Sequence, residues 1–65
     1  MSAVDFFALR VHLELLEAWI AEHEAALAGI PRWRLRARAE HRRARREAAA
    51  EAEALAAELD RRWPA

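Results

Sequence analysis

Cysteine, lysine and tyrosine do not occur in these 65 residues. Without cysteine there is no disulfide to staple a small fold, no thiolate metal site and no thiol redox chemistry. Glycine occurs once (Gly29) and proline twice (Pro31 and Pro64), so helix breakers sit at one internal point and at the C-terminal end. No stretch approaches the ~20 apolar residues that a membrane-spanning helix needs. The first residues carry Asp5 and no basic group ahead of Phe6 and Phe7, which does not fit a secretory signal. The expected location is therefore cytoplasmic, with no membrane as a partner.

What is present is alanine, arginine and glutamate, with an apolar pattern of helical period. A chain of this length makes one domain and buries only about 60% of the surface that it exposes when unfolded. Such a core is marginal without disulfide, metal or a second chain.

Ser2 and Asp5 have the spacing of a capping box, with acidic charge at the end of the helix where the dipole favours it. Phe6, Leu9, Leu13, Leu16, Ile20, His23, Leu27 and Ile30 follow with alternating spacings of three and four, a heptad stripe with His23 as its polar member. Val4, Val11, Leu15 and Ala18, flanked by Phe7 and Trp19, form a second apolar face on the same helix. A helix in a lone hairpin buries one face, so a helix with two belongs in a larger bundle. Val4, Phe7, Val11, Leu15 and Trp19 are therefore the expected oligomer interface.

Gly29-Ile30-Pro31 reads as the turn, with Gly29 as a left-handed residue closing the first helix and Pro31 opening the second. The second helix carries Trp33, Ala37, His41, Ala44, Ala48, Ala52, Leu55, Leu59 and Trp63, an eleven-residue repeat that follows a nearly straight path. So short a connection makes the helices antiparallel neighbours. The expectation is an all-α, single-domain hairpin over residues 1–65. Helix one spans about 3–28, the turn 29–31 and helix two about 31–62. Two such hairpins would pair into a four-helix bundle. Trp33 and Trp63 are expected in the core, and Trp19 at an interface.

Charge is balanced overall, with 11 basic and 11 acidic residues, but it is unevenly placed. Residues 1–30 carry a net −4 and residues 31–65 a net +4. Between Arg32 and Arg46 eight arginines face only Glu40. Arg34, Arg38, Arg42 and Arg46 are four apart, a ladder of like charges that disfavours the bare helix. Three readings follow, one of them an acidic protein partner. Folding at Gly29 would lay Glu14, Glu17, Glu22 and Glu24 beside the arginines as counter-charges. Alternatively, Arg34, Arg38, Arg42, Arg43, Arg45 and Arg46 would form an anion face for the backbone of RNA or DNA, with Trp33 as a stacking residue.

His12, His23 and His41 are the only groups suited to a metal or to acid-base work near neutral pH. The Glu-x-x-His spacing of metal sites in bundles is absent, because Leu9, Ile20 and Arg38 stand three residues before the histidines. His23 and His41 are equally far from the turn, which predicts that they face each other inside the hairpin. No nucleophilic triad, glycine-rich phosphate loop or carboxylate pair in a plausible cleft is present. The sequence thus predicts a non-enzymatic helical module without cofactor or small-molecule substrate, whose partner is a second copy or another helical protein.

Overall fold

A computed structural model of the protein describes residues 3–64. It holds two helices, α1 (Ala3–Gly29) and α2 (Leu35–Arg62), packed along their length in an antiparallel hairpin. The rod measures 49 × 16 × 14 Å. Alanine-rich sequence free of internal breakers favours both helices, and burial of the facing stripes holds them together. Ser2 lies outside the described residues.

The contact between the helices follows the heptad stripe of α1 and the eleven-residue stripe of α2. Leu13, Ala52 and Leu59 form the buried centre, with Leu9, Leu16, Ile20, Leu55, Ala56 and Trp63 packed against it. Ala48 is buried beside them. Large side chains of α1 therefore lie against alanines of α2, which have no bulk to hold the axes apart. At the open end the rings of Trp63 and Phe6 meet in a T-shaped arrangement, with centroids 5.3 Å apart. Trp63 also closes α2, donating its backbone N–H to the carbonyl of Leu59 at 2.8 Å.

The turn differs from its expected form in three ways. The second helix begins at Leu35, four residues after Pro31. Pro31 instead opens a tight turn in which Arg34 donates its N–H to the Pro31 carbonyl at 3.1 Å. Those added residues carry the chain across the roughly 8–10 Å that separates packed helix axes. As a result Trp33, expected in the core, stands on the turn with 78% of its surface exposed. Gly29 does not adopt a left-handed conformation either, since no glycine among the described residues has positive φ.

The end of α1 is closed by a side chain. Arg38 reaches back from α2 and donates from one guanidinium nitrogen to the carbonyls of Leu27 at 3.0 Å and Ile30 at 2.9 Å. A cation there also meets the negative end of the α1 dipole, where the last turn has no basic residue of its own. Arg38→Ala is expected to lower stability by roughly 1–2 kcal/mol, as loss of charge-assisted hydrogen bonds does. Arg42→Ala should change it by less than about 0.5 kcal/mol. Urea midpoints at unchanged slope would make the comparison.

Candidate interaction surfaces

Three groups of side chains lie outside the core: an apolar strip on α1, arginines on the turn and α2, and a histidine pair between the helices.

The apolar strip is the second face expected from the sequence. Val4, Phe7, Val11, Leu15 and Trp19 are all 50–73% exposed in the single chain. The first core stripe of α1 takes the contact with α2, and these residues lie on the other side of the same turns. Leu15 and Trp19 also border a shallow groove of about 450 Å³ between the helices. Its far wall is formed by Ala48 with Glu47 and Glu51 of α2. Across the groove His12 Nε2 lies 3.3 Å from a carboxylate oxygen of Glu51. The register that pairs His23 with His41 also brings His12 level with Glu51.

The arginines are less internally matched than the counter-charge reading requires. Only one of the four candidate acids reaches across: Glu24 accepts from Arg45 at 3.3 Å. Glu14 lies 3.9 Å from Arg10 on its own helix, and Glu17 and Glu22 make no ion pair among the described residues. The blocks stand level with each other but face outwards. Each residue of a helix turns by about 100°, so Arg46 projects away from Ala44 and Ala48, which line the groove opposite Leu15, Leu16 and Trp19 of α1. Arg42, Arg43 and Arg46 are exposed and without a carboxylate partner among the described residues. Of the six residues expected on an anion face, Arg38 closes α1 and Arg45 pairs with Glu24. Arg34 stands on the turn, and Arg42, Arg43 and Arg46 share the outer side of α2. The other ion pairs of α2 join Glu58 to Arg61 and Arg62, near its end.

The histidines meet as their equal distance from the turn predicts. His23 Nδ1 and His41 Nδ1 are 2.8 Å apart, so one ring donates a proton to the other. Trp19 packs edge-on against His23 with centroids 4.8 Å apart. The second nitrogen of His23, Nε2, is buried without a hydrogen-bond partner. No group of three His, Asp or Glu side chains suited to a metal ion occurs among the described residues. No helix among the described residues is long and apolar enough to cross a membrane. The chain matches no protein-family model, no curated protein and no solved structure.

Proposed function

We infer that the protein is a non-enzymatic helical interaction module, and that the partner of its α1 strip is a second copy of the chain. One observation carries this reading: five large apolar side chains at helical spacing remain exposed on α1 after the hairpin has formed. Val4 to Trp19 covers about 22 Å of helix at 1.5 Å per residue. Burying such a strip removes apolar surface worth about 25 cal/mol per Å². A strip meeting its own copy about a two-fold axis is complementary to itself, the commonest arrangement in homo-oligomers. Two hairpins joined in this way make a four-helix bundle.

Sedimentation equilibrium at micromolar concentration tests the proposal. At least twice the 7.5 kDa chain mass is expected. Val11→Glu with Leu15→Glu should reduce it to one chain, because carboxylates would be buried against each other without partners. The core stripe Leu9-Leu13-Leu16-Ile20 is untouched by these changes, so helical circular dichroism should persist at low temperature. A wild-type monomer that melts cooperatively would sink the proposal.

A further inference from the structure

We propose that the turn and the adjoining outer side of α2 bind single-stranded nucleic acid, with Trp33 stacking on a base and the arginines contacting phosphates. Trp33 and Leu35, at 78% and 74%, are the most exposed large hydrophobic residues of the described chain. Their backbone is held: the Pro31–Arg34 turn is hydrogen-bonded, and Arg38 ties the start of α2 to the end of α1. An exposed tryptophan on such a bracket offers a stacking surface whose backbone is already ordered before binding. It lines a depression of about 500 Å³ with Arg34, Leu35, Arg36 and Glu40.

The charge continues from that point along the helix. Arg32, Arg34 and Arg36 surround Trp33 in sequence, and Arg42, Arg43 and Arg46 extend the basic surface up the outer side of α2. None of these six has a carboxylate partner among the described residues, so no ion pair has to break when phosphate arrives. The first turn of α2 holds no acidic residue and no side-chain cap, which leaves the positive end of its dipole uncompensated. Four acids of α2, Glu51, Glu53, Glu58 and Asp60, lie towards the other end of a 49 Å rod. Glu17, Glu22 and Glu24 stand level with the arginines but on α1, and Glu40 and Glu47 are the two acids within the arginine-bearing stretch of α2.

Geometry selects the ligand class. Arg36 and Arg46 are about 15 Å apart along the helix at 1.5 Å per residue. A flat anionic lipid surface touching the turn would leave Arg42, Arg43 and Arg46 out of reach. If α2 lay flat on it, only Leu35 at its start and alanines such as Ala39 and Ala50 would enter the apolar layer. A single strand can follow the helix and present both a free base and successive phosphates. Stacking on a tryptophan requires a base that is not held in a duplex.

The α1 strip ends at Trp19 and does not include these residues, so this proposal stands or falls apart from self-association. The test is fluorescence anisotropy with a labelled single-stranded oligonucleotide of roughly 16 nucleotides, as RNA and as DNA, at ~50 mM salt. Binding should weaken with salt by about 0.7 log units per phosphate contact for each tenfold increase. Trp33→Ala should weaken it by roughly 5- to 150-fold, the range for loss of one stacked base. Arg42→Gln, Arg43→Gln and Arg46→Gln together should flatten the salt slope by about 2. All four side chains are exposed and unpaired, so circular dichroism should show an unchanged hairpin. The absence of binding at this salt, equal binding by Trp33→Ala, or equal affinity for a duplex of the same length would each overturn the proposal. So would binding to phosphatidylglycerol vesicles with none to the oligonucleotide.

Discussion

Leu13→Ala is expected to leave the hairpin largely unfolded at room temperature. Leu13 is 6% exposed and sits at the centre of the core with Ala52 and Leu59. Truncating a buried leucine costs about 2–5 kcal/mol, through lost burial and the cavity that remains. A single core of this size supplies no more than ~3–5 kcal/mol, so the loss is comparable with the whole. The alanines opposite cannot fill the space, since Ala48 and Ala52 have no side-chain freedom with which to repack. Leu15→Ala, two residues away on the exposed strip, is the control. Below the concentration at which chains associate, it should change stability by less than about 0.5 kcal/mol. At higher concentration its cost should rise, because an associated chain gains stability from its partner by mass action. Urea unfolding followed by circular dichroism at two protein concentrations separates these outcomes. Equal losses for the two variants at low concentration would mean that the faces of α1 are wrongly assigned.

The positions that sequence made legible are those governed by periodicity. Leu9, Leu13, Leu16 and Ile20 recur at three and four residues because only that spacing holds one face towards a neighbour, and those residues do pack on α2. The facing of His23 and His41 followed from counting outward from the turn, since antiparallel helices advance equally. Where the reading failed, geometry finer than period decided. Trp33 matched the core spacing on paper, but it precedes the first helical residue, so the period does not apply to it. Glu17 and Arg46 stand at comparable heights yet point in different directions, and a charge count along the chain carries no azimuth. The closure of α1 by Arg38 was hidden for a related reason. Gly29 and Pro31 gave a sufficient local account of the turn, and a side chain reaching from the next helix leaves no local signature.

Replacing His23 and His41 together by leucine is expected to preserve or raise stability, while replacing either one alone by alanine lowers it by roughly 2–3 kcal/mol. The reason lies in the hydrogen-bond count. The two rings share one hydrogen bond across the 2.8 Å Nδ1–Nδ1 contact. His23 Nε2 remains buried without a partner. Removing His41 strands both nitrogens of His23, and an unsatisfied buried polar group costs about 1–3 kcal/mol before any cavity is counted. Removing both rings deletes the hydrogen bond and the stranded nitrogen together, and leucine continues the apolar stripe from Ile20 to Leu27. Exchanging both partners for apolar groups of similar shape is close to neutral. A cycle of His23→Ala, His41→Ala and the double variant should give a coupling of about 0.5–3 kcal/mol, the signature of residues in contact. Additive losses would show that the rings do not act as a unit. If the double leucine variant proves the more stable, the pair's contribution lies in specificity. One hydrogen bond that forms in a single alignment fixes the register of α1 against α2, as a lone buried polar residue does in coiled coils. Leucines and alanines alone would tolerate a slip of one turn. Disulfide trapping can detect that slip, because the chain has no native cysteine to interfere. Cysteines introduced at Leu16 and Ala48 should crosslink efficiently in the wild-type background. A second pair at Leu16 and Ala52 should gain yield at its expense only when both histidines are leucine.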